Sequence, residues 1–308
     1  MILRDRPNAI RLLLSLRGSI LIDIWPPLAF SIIVAALVAW SGGHVFGYKV
    51  QLEVAPFSLI GITLALFLGF RNNVCYDRYW EGRRLWGELV LASRNLARQS
   101  LSWVTPPAAA GEVTRKRQVY RIIAIAHALR HELRGSASAE DLRPFIGEEE
   151  LKAACAARSP TNALLSEATR DLQSCHKQGW LDTFLLPAME TQVESLSHVL
   201  AGCERIRNTP VPFAYMLLLH RTIFIYCVLL PFGLVDTCGA ATPLIAAILA
   251  YTFFGLDEVG SQIEEPFGML PNDLPLSALC RTVEIDLREM LGETEVPPPL
   301  APVKSVLS

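Results

Sequence analysis

Four long apolar runs organise the chain. Ile20 to Trp40 runs almost without charge, with Asp23 near its start and Pro26-Pro27 behind it. Val54 to Phe70 has only Ser58 and Thr63 as polar residues and stops at Arg71-Asn72-Asn73. Phe213 to Leu234 is apolar except for His220-Arg221. Ala240 to Leu256 follows it after a turn at Asp236 to Gly239. About 20 apolar residues in a helix cross a bilayer core. The pattern therefore predicts four transmembrane helices, the first bent at its proline pair.

The polar segments fit around these runs. Residues 1–19 set Arg4, Arg6, Arg11 and Arg17 among Leu12, Leu13, Leu14 and Leu16, an amphipathic helix for a membrane surface. Tyr76 to Arg98 is charged but helical in character. No breaker separates it from the second run, so one long helix is expected to leave the membrane. Thr105 to Gly111 is a loop. Beyond it apolar positions recur three and four apart, as at Val119, Ile122, Ile123, Ala126 and Leu129. This spacing predicts helices near 112–134, 148–158, 161–177 and 183–207, ended by Thr209-Pro210-Val211-Pro212. Acids dominate from Asp257 onward, and Pro297-Pro298-Pro299 with Pro302 makes an extended or disordered end.

The organisation is thus an amphipathic helix over 1–19 and two spans with a cytoplasmic extension over 20–104. A helical domain follows over 105–208, two further spans over 209–256, and an acidic segment and tail over 257–308. Basic residues concentrate at the N-terminus and after the second span. Loops 41–53 and 236–239 hold one lysine between them. The positive-inside rule then puts both termini and the helical domain in the cytoplasm.

Composition sharpens this picture. Of 308 residues 51 % are hydrophobic and 19 % charged, and the mean hydropathy is +0.32. This excludes a disordered chain and argues against an ordinary soluble enzyme. A net charge of -2 gives no case for nucleic acid. Seven scattered cysteines without a CxxC pair make neither a disulfide framework nor a zinc site and read as free thiols in a reducing compartment. No cleavable signal peptide is expected. Catalytic signals are sparse. His127 and His131 share a helix face, but Glu132 directly follows His131, so the zinc-protease HExxH pattern is absent. No phosphate loop, calcium hand or Ser-His-Asp set can be placed, and no metal or cofactor is expected.

The second run carries more. Ile62, Leu66 and Phe70 recur every four residues and stack along one helix face, drifting about 40° per step. Gly61 and Gly69 offer small surfaces where helices approach closely. Copies of this helix around an axis would make an apolar constriction, which can gate ions by dewetting. A lipid-facing or packed stripe would show the same periodicity.

Phe70-Arg71-Asn72-Asn73-Val74-Cys75-Tyr76-Asp77-Arg78-Tyr79-Trp80-Glu81 resembles the segment after the second span of bestrophins, in the form typical of bacterial members. Glu264-Glu265-Pro266-Phe267-Gly268, followed by Asn272-Asp273-Leu274-Pro275-Leu276, is similar to the family's segment after its fourth span. The resemblance covers about residues 10 to 290. It implies an all-α membrane protein, four transmembrane helices with a cytoplasmic helical domain, assembled as a homopentameric ion channel in the inner membrane. Its partners would be its own copies, membrane lipid and permeant monovalent ions. The neck would be formed by Ile62, Leu66 and Phe70, and a second aperture at the cytoplasmic mouth by Leu181.

Departures from the family pattern matter as well. Animal members have aromatic residues at the lower two neck positions, and Leu66 here lacks the positive ring edge that can face an anion. That tilts the expectation slightly towards cations, Na+ or K+, over Cl-. Met269-Leu270-Pro271 stands where animal members carry calcium-clasping acids, so no calcium clasp is expected. Arg78 and Trp80 are expected to be structural. Asp257, Glu258, Glu264 and Glu265 are expected to pair with the arginines at 71–98, or else to line an inner vestibule that concentrates cations. His220-Arg221 is an ionisable pair at membrane depth, either functional or snorkelling to the interface. The expected function is passive conduction of small monovalent ions. A secondary transporter and a membrane-anchored scaffold are the alternatives.

Overall fold

A computed structural model gives the fold and describes residues 1–2, 18–46, 48–50, 52–303 and 305–307. The amphipathic helix expected over 1–19 falls almost wholly outside the described residues.

The described chain is mostly helical, and its one sheet is a two-stranded hairpin. Helix α1 spans Leu21–Ser41, with Pro26 and Pro27 inside it and the left-handed Gly42 closing its end. Strands β1 (His44–Val45) and β2 (Tyr48–Lys49) pair antiparallel in the connection that the sequence reads as a plain loop. Helix α2 runs unbroken over Val54–Trp103. Its one proline, Pro56, sits in the first turn, where a missing N–H costs no helical bond. Then come α3 (Ala108–Arg134), a single turn α4 (Ala139–Leu142), α5 (Glu148–Ala156), α6 (Pro160–Lys177) and α7 (Leu186–Asn208). Helix α8 (Phe213–Cys238) and helix α9 (Thr242–Glu264) are separated by Gly239, at φ 51°, and one 3-10 turn. Helix α10 covers Leu276–Met290.

The chain divides into two compact units. Among the described residues the apolar unit holds those from 18 to 79 and from 210 to 265. Here α1, α8, α9 and the first half of α2 pack together around Leu64, Leu68, Leu219, Ile223, Tyr226, Leu230, Ala250, Phe253 and Phe254. Among the described residues three helical stretches are long and apolar enough to cross a membrane: Leu21–Ser41, Val54–Trp103 and Phe213–Glu264. The last folds back at Gly239, because Tyr226 and Phe253 meet edge to face at 5.3 Å. Helix α9 is longer than its apolar run and continues from Leu256 to Glu264.

The amphipathic unit holds the described residues among 1–2, 80–209 and 266–307. Its core is built from Trp86, Leu89, Ile122, Ile123, Ile125, Leu129, Leu164 and Met189, all fully buried. Two features depart from the reading of the sequence. The charged half of α2, from Trp80, belongs to this unit. Residues 276–290, read only as part of an acidic tail, form α10, whose buried stripe is Leu276, Cys280, Val283 and Leu287. That i, i+4, i+7, i+11 spacing is a helix signal that the acids between these positions obscure. The Cys280 thiol points at the carbonyl of Ala126 at 3.3 Å, and burial pushes its pKa up to about 12.

Candidate pore helix and its charged anchor

Helix α2 presents two opposite faces inside the apolar unit. Leu64, Leu68, Arg71 and Cys75 are buried against neighbouring helices. Ile62, Leu66 and Phe70 are 69, 55 and 55 % exposed. Each of the three is two residues from a buried position, a turn of about 200°, so they lie on the far side of the helix. They span about 12 Å along the axis. Their own chain leaves them uncovered.

A close approach holds the packed face. A Cβ on Gly61 would sit 2.8 Å from the Tyr226 hydroxyl, so glycine lets α2 reach α8 here. Gly69 meets nothing within 4 Å, so only one of the two glycines expected at a helix contact makes one within the chain. Below the apolar turns, the Tyr215 hydroxyl donates to the Phe67 carbonyl at 3.2 Å.

Arg71 ends the apolar run, and its guanidinium is buried. Nη1 donates to Asp257, to a carboxylate oxygen and, at 3.3 Å, to the carbonyl. Nη2 donates to the Ser261 hydroxyl at 2.7 Å and lies 3.9 Å from the Glu264 carboxylate. The second Asp257 oxygen is 2.8 Å from His220 Nδ1. Asn72 donates from Nδ2 to the Leu256 carbonyl at 3.1 Å. Gly260 makes this junction possible, since a Cβ there would fall on the Asn72 side-chain oxygen. An isolated buried charge is very costly, and paired, multiply bonded charges are the form in which an arginine persists at such a depth.

Glu264 has a second task. Its carboxylate accepts from the Val211 N–H at 3.0 Å, and its carbonyl accepts from Arg78 Nε at 3.1 Å. The structure thus brings Arg71, Arg78, Asp257, Glu264 and His220 into one cluster. Glu258 does not join it: its carboxylate accepts from Gln262, which also donates to Asp23 at 2.9 Å. Glu265 is exposed, and Trp80 is 43 % exposed. Sequence reasoning grouped the arginines over 71–98 and singled out neither Arg71 nor Gly260. The signal was the face Asp257, Gly260, Ser261 and Glu264, at i, i+3, i+4 and i+7.

Leu181 is corrected. It is 2 % exposed, packed inside the amphipathic unit, while its carbonyl faces His176 Nδ1 at 3.1 Å. A side chain held in a core does not line an aqueous opening. The exposed apolar residue of this turn is Phe184, at 89 %. Asp273, the acid nearest the position of the animal calcium clasp, is buried and accepts from the Leu270 N–H at 2.6 Å, closing its own turn. Among the described residues no three His, Cys, Asp or Glu side chains are placed to hold a metal ion.

Comparison with known proteins agrees with this architecture. A model of the bacterial and fungal bestrophin proteins matches residues 1–289. The voltage-dependent anion channel-forming protein of Mesorhizobium japonicum is 39 % identical over 311 residues, spanning 99 % of this chain and 96 % of the relative. A relative of the same description from Escherichia coli K12, YneE, is 40 % identical over 306 residues, 98 % of each chain. The crystal structure of a bacterial bestrophin homologue from Klebsiella pneumoniae superposes with a TM-score of 0.81 at 36 % identity, covering 88 % of this chain and 100 % of that one. On the motifs, the helical architecture and these matches, the chain belongs to the bestrophin family.

Proposed function

We propose that the protein is a multi-pass channel of the bacterial inner membrane that passively conducts small monovalent ions. Four spans with both termini cytoplasmic fit the α8–α9 hairpin and the distribution of basic residues. Five copies would set α2 around one axis, and Ile62, Leu66 and Phe70 would form an apolar neck. The observation that carries this reading is the exposure of those three side chains opposite the stripe that α2 buries. A face so apolar needs lipid or further copies of the chain to cover it. Placed on an axis, it would set a dewetting barrier to ions. Arg71, Arg78, Asp257 and Glu264 would hold the pore helix at its lower end without touching the ions.

For the sign of the ion, the relatives' names favour an anion, and nothing in the comparisons supports the slight lean towards cations. The cation reading rests on specific residues: Leu66 in place of a ring edge, and the acids Glu258 and Glu265 beyond the apolar run that ends at Leu256.

The test is the current through purified protein in a planar bilayer under a NaCl gradient. Reversal near the chloride potential establishes an anion channel; reversal near the sodium potential establishes a cation channel. Leu66→Ala and Phe70→Ala should each raise conductance several-fold by widening the ring. Unchanged currents in assembled variants would remove α2 from the pore. Absence of flux in both would favour a scaffold, and saturable, coupled flux a transporter.

A further inference from the structure

A groove of about 640 Å3 opens in the amphipathic unit where the end of α3, the start of α6 and α7 come together. That volume is in the range of small-molecule clefts. Leu200 and Ala201 contribute apolar lining, and the remainder is polar.

Several of the polar groups are already used by the fold. The Glu132 carboxylate accepts from the Thr161 N–H at 3.3 Å and its hydroxyl at 2.8 Å. Ser159 caps α6 by accepting from the Asn162 N–H at 3.2 Å. Arg207 donates to the Glu132 carbonyl and so closes the end of α3. The backbone N–H groups at the start of α6 are therefore satisfied and need no ligand.

Two charges are not used. Arg158 and Glu204 both line the groove, yet among the described residues neither makes a hydrogen bond or an ion pair, with each other or with anything else. Asn162 and Asn208 line it too, and their side-chain amides are equally unengaged. A ligand with one negative and one positive end would answer both charges. A purely anionic or purely cationic ligand would meet one opposite and one like charge.

We propose that this groove binds a small zwitterion, a molecule with one carboxylate and one ammonium group, the carboxylate on Arg158 and the ammonium on Glu204. The assignment is independent of the ion pathway and stands whether or not the protein conducts.

The test is calorimetric titration of the full-length, detergent-solubilised assembly. The probes are glycine, β-alanine and 5-aminopentanoate, with succinate and 1,4-diaminobutane as single-sign controls. At least one zwitterion should bind about tenfold more tightly than either control, and the best of the three reports the span between the charges. Arg158→Gln and Glu204→Gln should each weaken it by about tenfold or more, since each removes a charge-assisted contact. The double exchange Arg158→Glu with Glu204→Arg should restore binding. Arg158 is exposed and Glu204 half-buried, and neither is engaged by the fold, so all variants should keep close to the parent melting temperature, which checks that they fold. Failure of all three zwitterions to bind, equal binding of succinate or the diamine, or binding untouched by folded single variants would each overturn the proposal.

Discussion

The two halves of α2 share one helix and obey opposite rules. From Trp80 to Trp103 burial largely follows polarity: Leu85, Trp86, Leu89, Ala92, Leu96 and Ala97 are buried and Arg84, Arg94 and Arg98 are exposed, with the exposed Leu91 and the buried Ser93, Gln99 and Ser100 as exceptions. From Val54 to Tyr79 it does not. Leu64 and Leu68 are buried, while Leu59, Ile62, Leu66, Phe67, Phe70 and Val74 are equally apolar and exposed, and the first charged residue after the apolar run, Arg71, is buried. In water, apolar surface is driven inside. A helix in hydrocarbon has no such drive, and there the costly groups are charges, which must find partners. The switch between the rules falls between Arg71 and Trp80. The apolar half needs a covering that this chain does not supply, and the second half has its covering already.

Predictions can break this comparison, the largest effect first. Asp257→Asn should destabilise the assembly by about 3–5 kcal/mol, because it leaves the Arg71 guanidinium buried against a neutral partner. Thermal unfolding of the detergent-solubilised protein reads this. Adding Arg71→Met to the same chain should recover much of the loss. No loss in the single variant would mean that the pair is not desolvated.

Next come lysines at two exposed apolar positions. Ile33 in α1 is 59 % exposed and Leu91 in α2 is 60 % exposed. Their exposure is the same, but their expected surroundings are not. Ile33→Lys should cost about 2.5–3.5 kcal/mol of membrane insertion, read by the fraction of glycosylated reporter in an insertion assay. Leu91→Lys should change melting by no more than about 0.5 kcal/mol, as a surface change in water does. Equal effects at the two sites would erase the boundary between the halves.

A third prediction sharpens the amphipathic side. His127 in α3 is buried, stacks on Phe145 at 5.5 Å and has no hydrogen-bond partner on either ring nitrogen among the described residues. The Glu284 carboxylate is 4.0 Å away, but desolvation outweighs it and lowers the imidazole pKa from 6.5 to about 4. The unfolded chain therefore binds the extra proton between these values, and stability rises with pH across them. Acidifying from pH 7 to pH 4 should remove up to about 3 kcal/mol through this group alone. His127→Phe keeps the stacking and should flatten that part of the pH–melting curve. An unchanged curve would place the acid sensitivity elsewhere.

Much of this was legible in the chain. The existence of α3, α5, α6 and α7 follows from their apolar spacing and from signals such as Ser159-Pro160, while the expected starts of α3 and α7, at 112 and 183, miss the observed Ala108 and Leu186. The passage of α2 from apolar run to charged extension follows from the lack of any breaker after Pro56. Helix α10 was lost because acids between its buried positions resemble a solvated tail. Leu181 failed because resemblance places a segment, whereas the side chain facing outward in a turn depends on local backbone direction. The hairpin of β1 and β2 is too short to leave a pattern.

By itself the sequence determined where most of the helices form and which stretches suit hydrocarbon and which suit water. These are properties of local periodicity and of transfer free energy, which each segment carries alone. Only the tertiary structure decided that Arg71 pairs with Asp257 across 186 positions, that Gly260 makes room for Asn72, that Glu264 ties the start of α8 to the end of α9, and that Arg158 and Glu204 face one groove unpaired. Those facts depend on which helix faces meet. Periodicity gives each helix a face but not its partner, because the choice rests on shape and charge matched between distant segments.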